Sequence, residues 1–353
     1  MKTYTGIGIM SGTSHDGLDL AHCTFEEHED KWKYRIIKAV TIPYPESWKQ
    51  RLLSLPEADA EMIKRADLDL GDYIGAAVSD FIKQGSLHAG FIASHGHTIF
   101  HDPDRKITLQ IGNGERIAKH CGITLINDFR SQDVAMGGQG APLVPLGDRL
   151  LFSEYDYCLN LGGIANISYD EDGQRIAYDI CPVNMVLDQL ALKSGKAYDN
   201  KGSMAASGAI IPALLDQLEA LPYYSQSGPR SLGREWVLEN IFPLMRKYDQ
   251  QGVENLLATF TEHIAIRISD TLQAKGSKKM LVTGGGVYNE FLVGRMKKHA
   301  DASIIIPDPL LIEFKEAMIF AFLGLLRLRN EVNVLGSVTG SGKDHCSGTI
   351  INK

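Results

Sequence analysis

The sequence predicts an α/β protein of two domains in which one order of strands and helices is laid down twice. Three observations carry this. The 353 residues exceed a single domain of ordinary size, so two are the natural expectation. Strand-type apolar runs alternate with helix-periodic apolar faces along the whole chain, the mark of α/β layering. Each half also opens in the same way, with a strand, a glycine-rich turn and a second strand.

In chain order, residues 5–10, 18–25 and 34–42 read as three strands. Ile74, Ala77, Val78, Phe81 and Ile82 then recur at the spacing of one apolar helix face. A buried-type strand at 90–94, a short one at 107–111, a helix near 114–120 and a strand at 123–127 complete the half. The order restarts after Tyr155, with strands at 157–161, 164–169 and 174–179. Helices follow from about residue 183, including a long one whose Leu257, Phe260, Ile264 and Ile268 share a face. A strand at 279–283, a helix from about 289, a strand at 303–306 and a helix at about 312–329 close the second half. Three strands joined by short turns, then alternating helices and strands, is the order of a ribonuclease H-like domain. Periodicity alone gives only an α/β protein with a possible duplication; with the glycine turns, the repetition predicts the actin-like ATPase architecture: domains at 1–150 and 151–353, a nucleotide cleft between them, and a last helix free to pack across the hinge.

Composition narrows the function. At 44% hydrophobic and 22% charged residues the chain can bury large cores. A net charge of -7 with no basic run argues against nucleic acid, whose phosphates need clustered Lys and Arg, and against an acidic membrane surface. The cysteines (Cys23, Cys121, Cys158, Cys181 and Cys346) are scattered without a Cys-x-x-Cys pair, the pattern of reduced core thiols. Met1-Lys2-Thr3-Tyr4 leads straight into a strand-type run with no apolar signal core. No stretch approaches the roughly 20 apolar residues of a membrane helix. The expectation is a soluble, cytoplasmic protein acting on a small molecule, with a homodimer allowed.

The turns carry the chemistry. The first is Ile9-Met10-Ser11-Gly12-Thr13-Ser14-His15-Asp16-Gly17; the second is Asn160-Leu161-Gly162-Gly163-Ile164-Ala165-Asn166. Glycines there let backbone N–H groups approach phosphate oxygens and form an anion-binding concavity. Either alone is equally an ordinary hairpin turn, whereas the matched pair favours a phosphate. Asp128 ends the 123–127 strand, so its carboxylate is presented at a C-terminal strand edge, where α/β sites form. An Asp128–Arg130 structural pair accounts for it equally well. Thr283-Gly284-Gly285-Gly286 is either a tight turn beneath a nucleoside or a plain strand-to-helix turn. Glu316 is placed at the opening of the last helix.

Three lookalikes fall away. Gly6-x-Gly8-x-x-x-Gly12 misses the dinucleotide spacing by one residue, and Gly340-Ser341-Gly342-Lys343-Asp344 has Asp where a P-loop needs Ser or Thr on Mg²⁺. His95, His97 and His101 form a His-x-His-x-x-x-His string that leaves a metal-dependent hydrolase as an alternative.

Met10 through Asp19 resembles the N-terminal signature of the anhydro-N-acetylmuramic acid kinases, with His15 where that family usually has Leu. The likeness continues through Ser94-His95-Gly96-His97-Thr98 and Thr108-Leu109-Gln110-Ile111-Gly112. It runs on through Asp128 to Ala135, Gly137 to Pro145, Asn160 to Asn166, Ser231 to Glu235, Thr283 to Gly286 with Asn289, and Glu316-Ala317-Met318. The resemblance implies ATP and Mg²⁺ as cofactors and a sugar as substrate. Water would open the 1,6-anhydro bridge of anhydro-N-acetylmuramic acid and the freed O6 would take the γ-phosphoryl group. The products would be N-acetylmuramic acid 6-phosphate and ADP, a step of peptidoglycan recycling. It further implies that Gly12, Thr13, Ser14, His15, Asp16, Gly17, Leu18 and Asp19, with Gly162 and Gly163, hold the phosphates, and that Gly284, Gly285 and Gly286 contact adenosine. Asp16 would hold Mg²⁺ through water. Asp128 would be the catalytic base, and His97, Arg130 and Glu316 would face the sugar.

The sequence also departs from the family pattern. Asp179-Ile180-Cys181-Pro182-Val183-Asn184 stands where the family usually writes Asp-Thr-Gly-Pro-Gly-Asn, so Cys181 and Val183 replace glycines and would restrict approach to the ligand. Phe100 stands where a basic residue is usual and His97 where Gln is usual; His97 or Arg130 would then take over part of the polar contact to the sugar. A kinase for another amino sugar or hexose, and a non-catalytic ATP-binding regulator, stay open as alternatives.

Overall fold

The structure is a computed structural model in which residues 2–12, 17–29, 31–226, 230–272 and 278–353 are described. It divides into two compact units, Met1–Phe152 with Phe314–Lys353, and Ser153–Glu313.

In the first unit β1 (Lys2–Ser11), β2 (Gly17–His28) and β3 (Lys31–Pro43) form an antiparallel meander. Next come β4 (Phe91–Asp102), β5 (Ile107–Ile111) and β6 (Leu125–Asn127). β4 lies parallel to β1, β6 lies parallel to β4, and β5 pairs antiparallel with β4. In the second unit β7 (Tyr157–Leu161), β8 (Ile164–Glu171) and β9 (Gln174–Pro182) repeat the meander. β10 (Lys278–Thr283) is parallel to β7, and β11 (Ala302–Ile305) is parallel to β10. The chain ends in β12 (Thr349–Ile351), antiparallel to β6. The orders β6-β4-β1-β2-β3 and β11-β10-β7-β8-β9 are one ribonuclease H-like topology twice, which makes the chain a duplicated, actin-like α/β protein.

Helix Ala60–Gly85 buries Ile74, Val78 and Phe81 against Ile7, Ile9, Leu18 and Leu20 of the first sheet. The opposite face of β1 presents Gly6 and Gly8. A Cβ on Gly8 would lie 1.7 Å from the carbonyl oxygen of Ala317, so the bare backbone is what lets helix Pro309–Leu328 settle there. In the second unit helix Val253–Thr271 buries Leu257, Phe260, Ile264 and Ile268 in that unit's core.

The chain divides differently from the expected 151–353 second domain. Residues 314–353 belong with the first unit, because Phe322 packs on Phe25 (5.3 Å between ring centres) and β12 extends the first sheet. Glu316 does not open the last helix either. Asp308 Oδ1 accepts from Leu311 N at 3.1 Å and Pro309 takes the first helical position, so the helix begins two turns earlier.

Candidate active site

Each parallel strand ends at the same edge of its sheet as a glycine turn, because β1–β2 and β7–β8 are hairpins closing at that edge. In the first unit Ser11 pairs with Leu18 and Met10 with Asp19, which fixes both legs of the first turn. Thr13, Ser14, His15 and Asp16 lie outside the described residues; Gly12, Gly17, Leu18 and Asp19 flank them at this edge. Asp19 accepts from Thr41 Oγ1 at 2.6 Å.

Asp128 follows β6 directly at the same edge. It holds φ +53, a left-handed conformation that Asp tolerates better than most side chains but that costs free energy and tends to occur at functional positions. Its neighbours hold it there. Phe129 is buried against Phe320 (5.7 Å) and its carbonyl accepts from Ser347 Oγ at 2.9 Å, while Asp128 Oδ1 accepts from Ser131 N at 3.2 Å.

Arg130 donates from Nε and Nη2 to His95 Nε2 (3.0 and 2.7 Å) and from Nη1 to Gly140 O (2.6 Å). Since His95 Nδ1 lies 2.9 Å from the Gly96 carbonyl, it carries the proton and Nε2 is the acceptor. Burial, then the Arg130 charge, holds the His95 imidazolium well below its ordinary range. Desolvation also lowers Arg130 to about 10, with Glu316 opposing the shift. The Glu316 side chain reaches solvent, yet desolvation raises its carboxyl; Arg130 and Lys315 pull it down, and Asp19 and Asp148 push it up. The structure thus brings Arg130, Glu316 and Asp19 into one electrostatic neighbourhood.

A pH effect follows. Folded His95 stays neutral while the unfolded chain takes up a proton below about pH 6.5, so the unfolded state binds more protons there and stability falls as pH drops. His263 of the second unit, buried and likewise lowered, acts with the same sign. Thermal melts should weaken between pH 7.5 and 5.5, values that bracket the roughly 6.5 reference, and less so in His95→Gln.

In the second unit, helix Asn184–Leu192 docks on the other hairpin: Val183 N and Met185 N donate to Gly163 O, and Asn184 Nδ2 to Leu161 O at 3.4 Å. The turn after β10 lies beside it. Gly284 has φ +85, and a Cβ there would meet Asn160 Oδ1 at 2.5 Å; one on Gly286 would meet Leu161 Cβ at 2.8 Å. Packing therefore demands these two glycines. Gly163 and Gly285 differ, because the first heavy atom a Cβ would meet lies at 3.8 and 3.9 Å. Packing around a Cβ therefore does not demand these two. Gly163→Val should melt like the parent but weaken ATP by about tenfold or more, with sugar affinity kept, as calorimetry would show.

Other expected site residues are placed differently. His97 is buried, 1% exposed, with Nδ1 2.8 Å from Ser11 Oγ at the end of β1, so it packs inside the first unit rather than on an open face for a sugar. The extra residue in β4 described below swings it there. Phe100 packs against the first core. Cys181 and Val183 are fully buried in the second core, so their side chains point inward and do not narrow a ligand surface. Among the described residues no group of three His, Cys, Asp or Glu side chains could hold a metal ion. Both ring nitrogens of His95 are already engaged.

The structure adds groups that sequence patterning did not single out. Buried Asp133 ties the 137–140 glycine loop by accepting from Gly140 N (2.7 Å) and Thr339 Oγ1 (2.7 Å). Asp179 accepts on Oδ2 from Leu232 N (2.9 Å) and Ser231 Oγ (3.3 Å), and desolvation raises its carboxyl. Their motifs are visible, but the bonds to Thr339, Ser231 and Leu232 join residues far apart in the chain.

Solved structures resembling this one include an activator of 2-hydroxyisocaproyl-CoA dehydratase from Clostridium difficile with bound ADPNP. It is 13% identical, with 92% of this chain and 97% of that one covered and a TM-score of 0.45. Component A of (R)-2-hydroxyglutaryl-CoA dehydratase from Acidaminococcus fermentans is 12% identical, with 90% and 96% covered and a TM-score of 0.45. A ROK family glucokinase from Streptomyces griseus, in complex with glucose and AMPPNP, is 13% identical, with 90% and 98% covered and a TM-score of 0.43. At these scores the likenesses carry no functional argument. The family model for anhydro-N-acetylmuramic acid kinase, by contrast, matches residues 4–353, the two glycine turns, Asp128 and the last helix included. The chain belongs to the anhydro-N-acetylmuramic acid kinase family.

Proposed function

We propose that Asp128 is the general base with which this chain runs its family's reaction. The chain is a sugar phosphotransferase. Water adds to the anomeric carbon of 1,6-anhydro-N-acetylmuramic acid, the bond from that carbon to O6 breaks, and O6 takes the γ-phosphoryl of ATP. Asp128 removes the water proton, a contribution of about 10²–10⁴-fold. The observation that carries this reading is a carboxylate held in a left-handed conformation at the sheet edge, between a buried Phe129 and a backbone donor. Gly163 and Gly285 leave room for a nucleotide, and the Gly12 turn is read as a phosphate-binding element too.

Mg²⁺ fits this chain without a three-ligand cage, because it keeps several waters and needs only one or two carboxylates beside the phosphates. Asp16, with Asp19 whose charge acts on the Glu316 carboxyl, would hold it through water. It would neutralise charge on the phosphates. Arg130 beside Glu316 would face the sugar. Among the described residues no helix is long and apolar enough to cross a membrane. A cytoplasmic place in peptidoglycan recycling agrees with this reading, with a homodimer allowed.

One observation favours a second assignment of the base. Asp179 has its carboxyl raised by desolvation, toward the range where a base works best near neutral pH, and one of its oxygens is pinned by two donors.

The reaction is tested by ADP release with ATP and Mg²⁺ against anhydro-N-acetylmuramic acid, N-acetylmuramic acid, N-acetylglucosamine and glucose. Turnover should be confined to the first. Equal efficiency on glucose would replace it with a broader hexose kinase.

A further inference from the structure

Three buried polar side chains meet at the root of the first glycine turn, and none is used by the chemistry described above. Ser11, the last residue of β1, is 1% exposed, and its Oγ lies 2.8 Å from both Tyr44 OH and His97 Nδ1. Tyr44 belongs to the connection after β3 and His97 to β4, so one hydroxyl joins three segments far apart in the chain.

Strand geometry alone would not bring His97 there. β1 and β4 run in register at Ile9↔Ser94, and then the register shifts so that Ser11 faces His97, one extra residue having entered β4. Such a bulge re-aims the side chain after it. Gly96 makes it feasible, with φ +75 and a position where a Cβ would lie 2.8 Å from Ile111 O. A hydroxyl has one proton, so Ser11 donates to one partner and accepts from the other. Burying such a chain costs desolvation that an apolar trio would avoid, and what it gives in return is a single geometry.

We propose that Tyr44, Ser11 and His97 form a clasp that sets the direction in which the Gly12 turn leaves β1, and thereby the position of that turn against the phosphates of ATP. They are positioning residues, and the inference rests on the reading of this turn as a phosphate-binding element. His97 serves the nucleotide through Ser11.

The test is steady-state kinetics in both substrates, with calorimetry for a non-hydrolysable ATP analogue. Tyr44→Phe keeps the ring stacked near Tyr73 (5.7 Å) and removes one oxygen, so the fold is kept, as melting will check. Tyr44→Phe and Ser11→Ala should each raise KM for ATP about tenfold while leaving KM for the sugar within about twofold. His97→Gln, whose amide can meet Ser11, should bring KM for ATP back to within about threefold of the parent, whereas His97→Ala should not. Tyr44→Phe combined with His97→Ala should add little to either alone. An unchanged ATP KM in Tyr44→Phe and Ser11→Ala overturns the clasp, as does a parallel rise in both KM values, or His97→Gln behaving like His97→Ala. Gly12→Val separates the two levels. If it binds ATP normally, the phosphate reading of the turn fails and the clasp with it. If it alone loses ATP, that reading stands and only the clasp is overturned.

Discussion

Asp128→Asn should bind ATP and sugar within a few-fold of the parent and lose turnover by about 10²-fold or more. The substitution suits the question because the amide oxygen can still accept from Ser131 N, and Asn tolerates the left-handed conformation at φ +53 as Asp does. The turn therefore keeps its shape while the group stops taking a proton. Asp128→Ala is the contrasting variant. It leaves Ser131 N without its acceptor, at a cost of about 1 kcal/mol in stability, and so mixes chemistry with structure. Single-turnover ADP release separates the step from product release. Asp179→Asn belongs in the same experiment. If Asp128→Asn turns over within a few-fold of the parent and Asp179→Asn takes the loss, the base is Asp179, and the left-handed strain at Asp128 serves the loop that follows it.

The duplicated sheet was legible because its signals are local. Each strand-turn-strand opening and each helix face, such as Ile74, Val78 and Phe81, is written within a few residues. The return of residues 314–353 to the first unit was not, because it depends on a three-residue strand and on the absence of a Cβ at Gly8. Glu316 lies two turns inside its helix because Asp308 and Pro309 start it, a local signal that the sequence does carry. At His97 the residue type suggested a ligand contact. What decides its role is a bulge at Gly96, and no periodicity in the chain announces an extra residue in one strand. The glycines divide in the same physical way. Sequence shows them all alike, and only the backbone conformation and the distance to the nearest neighbour separate Gly284, where a Cβ would be strained and crowded, from Gly163, where it would not.

Gly8→Ala should be among the most damaging single-methyl changes available in the first unit. The added carbon would sit 1.7 Å from Ala317 O, 2.7 Å from that carbonyl carbon and 3.0 Å from Ala321 N. All three are backbone atoms, so no rotamer relieves the overlap, and the helix must move off the sheet. Overpacking usually costs about 1–3 kcal/mol, and a backbone clash belongs at the upper end. At about 2–4 °C per kcal/mol for a unit of this size, the melting temperature should fall by roughly 6–12 °C. The displaced helix carries Glu316 next to Ala317, so its place beside Arg130 shifts as well, and a misplacement of about 1 Å can cost about 10²-fold in rate. Turnover should therefore fall further than the folded fraction does at low temperature. Gly294→Ala is the control, since nothing lies within 4 Å of the new carbon in helix Glu290–His299. Replacing glycine by alanine inside a helix should stabilise by about 0.5–1 kcal/mol. Were Gly8→Ala to melt and turn over like Gly294→Ala, close contact between β1 and the last helix would not be what holds Glu316 in place.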